Sequence, residues 1–352
     1  MTKSAAGIGN VIPNAELVEM AMGYARSRVV CAAARLGIAD ALGDAERSVD
    51  DLADACQADP GALYRLLRAL AAIGVTTETA PARFRLTPFG EPLRKDAPAS
   101  AWPAVIFWAD LLADSWSLLT ECVRAGKPAS QVRDSNIPSR WSQVPEADAI
   151  FRAVMGTAPA EDYLPLAQAW DFSGAKVVAD LGGGCGALLA AVLRIQPRVR
   201  GLLVERETSI PAAKARFEAE DLASRCEFIA ADLTRAVPPG ADVYILKQVL
   251  HGYRDEGAVV ILKNCRAVLP RDGRLLIMEF ILPALVSRAD PRLEGRLLSD
   301  LNMLAVTGGK ERSEREWKAL LEAAGLRLHQ VHSTSGDGSP AEHVAILETQ
   351  PV

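Results

Sequence analysis

A cluster of glycines between a buried strand and a helix constrains the fold of this chain more than any other stretch. Four glycines stand at positions 182, 183, 184 and 186 in DLGGGCGA, after the apolar run KVVA and before ALLAAVLRIQP. Glycines there let the backbone pass close to a ligand and leave amide groups free at the start of a helix. Strand, glycine loop and helix in this order predict an open α/β sheet that binds a nucleoside.

Strand and helix patterns alternate along the second half of the chain. Further strands are predicted at GLLVER, CEFIAADL, ADVYILKQVL and GRLLIMEFIL, with helical patterns between most of them. This alternation implies a parallel, doubly wound sheet of the Rossmann type. The last two strands, LRLHQVHS and EHVAILET, are joined by the short turn TSGDGSP, so we predict that they pair antiparallel.

The first hundred residues have a helical pattern that ends in a small hairpin. One amphipathic stretch runs from AELVEM to Gly43, and two shorter helices follow, with Ser48 as a cap and a stop at Gly74. The stretch ARFRLTPFG then predicts a short strand and a turn. Helix, turn, helix and hairpin together form a winged-helix pattern.

A winged helix suggests either a DNA-binding regulator or a packing and dimerisation domain. Residues 50–95 contain six acidic and six basic residues, whereas a module that reads a DNA groove should be distinctly basic. The net charge of −5 for the whole chain also argues against a nucleic-acid partner. We therefore expect a dimerisation domain.

Cysteine spacing and hydropathy indicate the compartment. The six cysteines are scattered without a CxxC pair, which is typical of reduced thiols in a cytoplasm rather than of a disulfide frame or a zinc site. The start of the sequence has no leader pattern, and no apolar run approaches the roughly 20 residues that span a bilayer. We expect a cytoplasmic protein without a membrane partner. His329 and His332 are predicted to be ordinary strand or loop residues.

Acidic residues at strand ends narrow the choice of nucleoside. Glu205 ends the strand GLLVER, where a carboxylate can accept hydrogen bonds from both ribose hydroxyls. Gly182, Gly184 and Ala187 also satisfy G-x-G-x-x-A, so a nicotinamide dinucleotide is one interpretation and a turn without a ligand is another.

Two further acids favour a different cofactor. Asp180 lies inside the glycine motif, where a carboxylate suits an amine and a sulfonium better than a pyrophosphate. Asp232 follows the third strand and is placed to meet an adenine amino group. The predicted antiparallel pair at the end of the sheet points the same way.

His251 is a candidate general base, although an ordinary loop histidine is the alternative. It follows the apolar strand in LKQVLHGYRDE, and Glu279 follows another strand, LLIM. In an open α/β sheet the carboxyl ends of the strands share one crevice. A hydroxyl such as that of a phenol, with a pKa of about 10, is a poor nucleophile at neutral pH. A neutral imidazole can take its proton as the oxygen attacks a substrate, and an adjacent carboxylate stabilises the imidazolium that forms.

With these motifs in place, the sequence resembles an S-adenosylmethionine-dependent O-methyltransferase. More narrowly, it is similar to the bacterial relatives of the plant caffeate and flavonoid O-methyltransferases, which include natural-product tailoring enzymes. The resemblance extends over nearly the whole chain and includes DLGGGCG, LKQVLHGYRDE, EFILP and MLAVTGGKER. It implies a homodimer formed by a winged-helix domain at 1–100, a helical linker with substrate-pocket residues at 101–170 and a cofactor domain at 171–352.

The resemblance also implies roles for particular residues. His251 would be the general base, flanked by Glu279 and Glu311. The residues that would bind the cofactor are Asp180, Gly182, Gly184, Glu205, Asp232, Leu233 and Lys247. Those that would lie near a hydroxyl-bearing aromatic or polyketide-like substrate are Phe107, Trp108, Phe151, Met155, Asn302 and Met303.

The sequence departs from the family pattern at positions that often contact the acceptor in family members. Family members usually carry an aspartate and a tryptophan after the histidine, where this chain has Gly252 and Tyr253, and Ala158 replaces a polar contact of the plant enzymes. The plant substrate is therefore not transferred. Some relatives hydroxylate, decarboxylate or catalyse pericyclic reactions, and retention of His251 with both glutamates favours methyl transfer over these.

A metal-dependent site is one further alternative. Asp300 and Asn302 form a D-x-N pair that resembles the metal ligands of catechol methyltransferases. Because the match is limited to these two residues, we predict chemistry without a metal.

Overall fold

The computed structural model describes residues 14–134, 136–156, 158–286, 291–333 and 344–352. The chain forms two compact units. The first comprises the described residues up to Ala113 together with Val144–Ile150, and the second comprises Asp114–Gln143 and Phe151–Val352. The segment 101–170, predicted as one linker, therefore contributes to both units.

The first unit is mainly helical, as the sequence predicts. Its amphipathic stretch up to Gly43 is divided among three helices rather than one, because Gly37 adopts a left-handed φ of 66° that ends the second of them. The next helix starts at the predicted cap Ser48, which accepts from the amide of Asp51 at 3.1 Å. The helix after it is capped by Asp59, which accepts from the amide of Ala62 at 2.8 Å. The helices span Ala15–Ala21, Gly23–Leu36, Ile38–Leu42, Val49–Cys56, Pro60–Ala72 and Trp102–Ile106, followed by a π turn at Phe107–Leu111.

Three short strands complete the winged-helix arrangement of this unit. Strands β1 (Arg47–Ser48), β2 (Thr76–Ala80) and β3 (Arg83–Leu86) form an antiparallel sheet in the order β1-β3-β2. Phe84 of β3 is fully buried, so the hairpin is packed on the helices rather than solvated on both faces.

The second unit contains the predicted Rossmann-like sheet. Its strands are β4 (Val177–Leu181), β5 (Arg200–Glu205), β6 (Cys226–Ala230), β7 (Val243–Lys247), β8 (Arg274–Glu279), β9 (Ile281–Leu282), β10 (Arg312–Ser313), β11 (Leu326–Ser333) and β12 (Ala345–Pro351). Seven of them pair in the order β11-β12-β8-β7-β4-β5-β6, and β9 pairs with β10. The pairs from β8 to β6 are parallel, whereas β12 is antiparallel to both β8 and β11. The antiparallel terminal pair is thus confirmed, and the turn TSGDGSP lies outside the described residues.

Both faces of this sheet are buried. Leu202 and Val204 belong to one apolar cluster and Leu203 to another, because successive side chains of a strand point to opposite faces. Helices cover both clusters, which is why the strands are nearly continuous apolar runs. The helices that lie wholly in this unit span Leu119–Ala125, Ala129–Val132, Arg140–Gln143, Leu164–Gln168, Ala187–Ile195, Ile210–Ala219, Asp255–Val268, Pro291–Val306 and Glu314–Ala323.

Parallel strands bring their carboxyl ends to one edge of the sheet. The last residues of β5, β7 and β8 are Glu205, Lys247 and Glu279. In β4, Asp180 is the last residue but one. Among the described residues, no helix has the length and apolar character needed to cross a membrane.

Candidate active site

The glycine loop lies beside a buried acid. Asp180 is 1% exposed, and neither of its carboxylate oxygens has a hydrogen-bond partner among the described residues. Burial raises the pKa of Asp180 to about 7, against the opposing charge of Lys247. Gly183 packs on this carboxylate so closely that a Cβ there would lie 2.4 Å from Oδ2 of Asp180. An orphaned buried carboxylate fits a cofactor that brings an ammonium group.

The loop also presents free backbone to this side of the sheet. Gly182 and Gly184 adopt φ values of 69° and 60°, which favour glycine. A Cβ on Gly184 would meet nothing within 4 Å, so the backbone at that position faces open space. The loop leads into the helix Ala187–Ile195, and backbone amides at such a start can bind polar ligand groups.

Other predicted cofactor residues surround the loop at the strand ends. Glu205, whose side chain is 12% exposed, lies beside the next backbone amide, that of Arg206. Asp232 accepts from the amide and hydroxyl of Thr234 at 2.9 and 2.6 Å, and the side-chain hydrogen bond lowers the pKa of Asp232. Leu233 is 9% exposed and packs in the apolar cluster below. Their contact with a ribose and a base stays a prediction.

Lys247 differs from a solvated strand-end lysine. Its ammonium lies 4.9 Å from the ring centroid of Tyr163 and donates to Oε1 of Gln248 at 3.1 Å. Cation–π contact and the neighbouring amide hold the lysine over the same edge of the sheet.

A histidine and two glutamates form a buried cluster next to this edge. His251 lies in the 3₁₀ turn Leu250–Gly252 that follows β7. Its Nδ1 is 2.9 Å from Oε1 of Glu311 and 3.7 Å from Oε2 of Glu279. The side chains of both glutamates are 0% exposed. The structure thus brings together three residues that are far apart in sequence.

The two glutamates act on the pKa of the imidazole. Burial by itself lowers the pKa of His251, but the hydrogen bond to Glu311 and the charges of Glu279 and Glu311 outweigh burial and raise it above its ordinary value. Because Glu311 accepts from Nδ1–H, Nε2 carries the lone pair of the neutral ring. A ring in this state can accept a proton at Nε2.

Glu279 holds the backbone that carries the imidazole. Its Oε1 accepts hydrogen bonds from the amides of Val249, Leu250 and His251 at 3.0, 2.9 and 3.2 Å. Burial, with a smaller contribution from the charge of Glu311, raises the pKa of Glu279 to about 7 against the opposing charge of His251. Glu279 is therefore hydrogen-bonded to the backbone of the turn, whereas Glu311 is hydrogen-bonded to the imidazole ring.

Glu311 is itself held by the helix Pro291–Val306. Ser299 donates to Oε1 of Glu311 at 3.2 Å, and the amide of Glu311 donates to Asp300 at 2.8 Å. These contacts fix both the carboxylate and the backbone of Glu311.

Known proteins with this architecture identify the family. An O-methyltransferase domain model matches residues 116–327, and an O-methyltransferase dimerisation domain model matches residues 18–96. The O-demethylpuromycin-O-methyltransferase of Streptomyces alboniger is 37% identical over 96% of this chain and 89% of its own length. The chain belongs to the O-methyltransferase family.

Solved structures support the same fold and cofactor for the methyltransferase. The mitomycin 7-O-methyltransferase MmcR has a TM-score of 0.83 and 31% identity over 96% of this chain and 97% of its own. NcsB1, an O-methyltransferase from neocarzinostatin biosynthesis solved with S-adenosylmethionine and 2-hydroxy-5-methyl naphthoic acid, has a TM-score of 0.79 and 29% identity over 99% of this chain and all of its own. The enzyme uses S-adenosylmethionine, so the nicotinamide interpretation of the glycine loop is set aside.

The D-x-N pair of the methyltransferase has protein partners. Asp300 accepts the amide of Glu311, and Oδ1 of Asn302 accepts from the indole of Trp116 at 3.0 Å. Ligand atoms of His251, Glu279 and Glu311 lie within 4.8 Å of one another, a spacing that a metal ion can use, but hydrogen bonds among these groups already account for it. The absence of a metal from the reaction stays a prediction.

The predicted substrate residues are divided between the two units. Phe151, Met155, Asn302 and Met303 belong to the second unit, where Phe151 contacts the ring of Trp141 with centroids 5.8 Å apart. Met155 is 51% exposed, which leaves its thioether free to contact a ligand. Phe107 and Trp108 belong to the first unit and pack edge to face, 5.0 Å apart. Their contact with a substrate stays a prediction.

Sequence reasoning missed three residues at the site, namely Ser299, Trp116 and Arg312. Trp116 belongs to no motif of the sequence, yet its indole donates a hydrogen bond to Asn302. Arg312 follows Glu311 directly and is fully buried. Its place directly after Glu311 in GGKER was the available signal.

Proposed function

We propose that the enzyme transfers a methyl group to the phenolic hydroxyl of a small aromatic molecule, with His251 as the general base. The observation that carries this proposal is the 2.9 Å contact between Nδ1 of His251 and Glu311, which sets the tautomer and leaves Nε2 to accept a proton. Bound S-adenosylmethionine supplies an electrophilic methyl group on a sulfonium.

In this mechanism the chain aligns the acceptor and manages one proton. His251 takes the phenolic proton at Nε2 as the oxygen attacks, a contribution of about 10²–10⁴-fold. The negative charge of Glu311 then stabilises the imidazolium through its hydrogen bond at Nδ1, and Glu279 keeps the turn in place. The reaction leaves the methylated oxygen, a thioether and an imidazolium that returns its proton to solvent.

The cofactor would be held at the glycine-loop edge. Asp180 would accept from its ammonium, Glu205 from its ribose hydroxyls and Asp232 from its adenine amino group. Gly182, Gly184, Leu233 and Lys247 would line the remainder. The unpaired oxygens of Asp180 and the open space at Gly184 support this arrangement.

An aromatic acceptor is supported by NcsB1, which was solved with 2-hydroxy-5-methyl naphthoic acid. Phe107, Trp108, Phe151, Met155, Asn302 and Met303 are proposed to contact it. Gly252 has open space where a side chain would start, since a Cβ there meets nothing within 4 Å. A family aspartate would project into that space, so its replacement by glycine supports an acceptor different from the plant substrates.

A methyl-transfer screen tests the proposal. The enzyme, methyl-labelled S-adenosylmethionine and panels of phenols, hydroxynaphthoates, aromatic amines and aliphatic alcohols are incubated, and products are identified by mass spectrometry. We expect label on the oxygen of at least one phenol or hydroxynaphthoate. Transfer confined to amines would contradict an oxygen acceptor. Consumption of an acceptor without label would point to the hydroxylation, decarboxylation or pericyclic chemistry of some relatives.

The first unit is proposed to form a homodimer. Its match to a dimerisation domain supports this, as do apolar side chains exposed near its start: Leu17, Met20, Met22 and Tyr24 are 60%, 74%, 59% and 71% exposed. Light scattering is expected to give twice the mass of the 37.6 kDa chain. Met20→Lys should shift it toward the monomer, whereas Leu285→Lys should not, although Leu285 is 88% exposed in the second unit. A monomeric parent enzyme would rule the dimer out.

A further inference from the structure

Arg312 is a buried cation next to the catalytic cluster. Its side chain is 0% exposed, whereas Asp255, its carboxylate partner at 2.8 Å, is 51% exposed. Its guanidinium also lies 5.2 Å from the ring centroid of Trp317. A buried ion pair is often no more stabilising than apolar residues of the same volume. The position therefore calls for an explanation other than stability.

The hydrogen bonds of Arg312 link two separate segments. The guanidinium donates to the carbonyls of Leu250 and Tyr253 at 3.1 and 2.9 Å, on either side of His251 and Gly252. It also donates to the carbonyl of Lys310 at 3.2 Å, the residue before Glu311. One rigid group thus joins the turn that carries the imidazole to the segment just before β10, which carries the carboxylate partner Glu311.

Neighbouring contacts leave this junction little freedom. A Cβ on Gly309 would lie 2.0 Å from the carbonyl oxygen of His251, so the two backbones touch there. Strand β10 begins at Arg312 and pairs with β9, which follows Glu279. Arg312 sits where the segments of all three cluster residues converge.

We propose that Arg312 is a positioning residue that fixes the separation between Nδ1 of His251 and Oε1 of Glu311. This inference rests on the proposed role of His251 as the base. A planar guanidinium with several fixed donors can hold three carbonyls and a carboxylate at once, which a lysine ammonium on a flexible chain cannot do in the same geometry. Arg312 does not touch the reacting atoms, and its effect passes through His251 and Glu311.

Replacing Arg312 with lysine keeps the positive charge and removes the planar group with its several fixed donors. We expect Arg312→Lys to lower kcat by roughly 10- to 100-fold, since a misplacement of about 1 Å costs on that order, with the KM for S-adenosylmethionine nearly unchanged. The pKa of His251 should fall, because a weaker hydrogen bond to Glu311 no longer raises it as much. The other charged groups that act on His251, Glu279 and Lys247, are unaltered. Loss of cationic charge would move this pKa in the opposite direction.

The pKa of His251 can be measured without an acceptor. Nitrogen-15 labelling of the four histidines and comparison with His251→Gln assign its imidazole signals, whose titration gives the pKa in wild type and variant. If the wild-type enzyme methylates no acceptor, the proposed function fails while this titration still decides the role of Arg312.

Arg225 provides a matched control in the same unit. It donates to the carbonyls of Leu193, Gln196 and Val199 at 2.9, 2.6 and 2.7 Å, near the amino ends of β5 and β6 and so at the opposite edge of the sheet. Arg225→Lys should lower thermal stability to a similar degree but leave kcat and the pKa of His251 nearly unchanged.

The outcomes separate alignment from general stability. Wild-type kcat and an unchanged His251 pKa in Arg312→Lys would overturn the proposal, as would an equal loss of kcat in Arg225→Lys. If Arg312→Lys does not fold, Asp255→Asn decides, because it weakens the hold on the guanidinium from a half-exposed position. It should lower kcat and the pKa of His251 in the same direction, and no change in either would count against the proposal.

Discussion

Replacing His251 with glutamine is expected to lower kcat by about 10²–10⁴-fold and to leave the affinity for S-adenosylhomocysteine nearly unchanged. Glutamine keeps a polar side chain of similar reach but cannot accept the phenolic proton. Because Nδ1 is engaged by Glu311, Nε2 is the nitrogen that would accept the proton in the proposed mechanism. Steady-state kinetics and calorimetry of the two proteins measure the two quantities.

The pH dependence of the rate gives a second test of the same role. The pKa of His251 is raised above its ordinary 6.5, mainly because Glu311 and Glu279 outweigh burial. The imidazole is a base only when neutral, so kcat should rise with pH through this raised pKa and level off above it. The residual rate of His251→Gln should lack that limb. An unchanged limb in the variant would assign it to another group.

Two control variants distinguish the loss of a general base from effects on folding and on cofactor binding. His332→Gln removes another histidine bonded to a carboxylate, Glu348 at 2.9 Å, and should leave kcat unchanged. Glu205→Gln should weaken S-adenosylhomocysteine binding while the bound enzyme keeps its pH profile. Wild-type kcat in His251→Gln would mean that proximity and orientation suffice without a base.

The sheet and the cofactor edge are largely predictable from sequence. Strands such as β4 and β7 are apolar runs that end in a charged or glycine-rich stretch, and a parallel sheet brings those ends together for topological reasons. For this reason Asp180, Glu205 and Glu279 could be grouped before any coordinates. Only the family resemblance predicted that Glu311 lies with them. Glu311 is 60 positions after His251 and does not end a strand of the parallel sheet, so the strand-end rule does not apply to it.

The support around the cluster is not predictable in the same way. Glu279 receives three amides because the chain turns sharply after β7, where Gln248 adopts a φ of 51°. A glutamine in the sequence does not predict a left-handed conformation, whereas a glycine can. Burial of Arg312 and the hydrogen bond that Trp116 donates to Asn302 likewise depend on how distant segments pack, and neither leaves a periodic pattern.

Gly309→Ala is expected to lower kcat by about 100-fold or more and to destabilise the fold by roughly 1–3 kcal/mol. A Cβ at this position would lie 2.0 Å from the carbonyl oxygen of His251, 2.6 Å from the carbonyl carbon of Gly252 and 2.8 Å from the amide of Tyr253. All three are backbone atoms, so no side-chain rotation relieves the clash. One segment must move, and the two segments carry His251 and Glu311, the proposed base and its partner.

Gly252→Ala is the matched control because it adds the same methyl group on the other side of that contact. A Cβ on Gly252 meets nothing within 4 Å, so we expect nearly wild-type thermal stability and S-adenosylhomocysteine affinity. Thermal unfolding, calorimetry and kcat of the two variants are compared. Near-wild-type kcat in Gly309→Ala would show that the segments can separate without cost, and equal damage in both variants would show that any added methyl perturbs the turn. If only Gly309→Ala loses kcat and thermal stability, the close backbone contact aligns His251 with Glu311. The open space beside Gly252 then remains available to the acceptor.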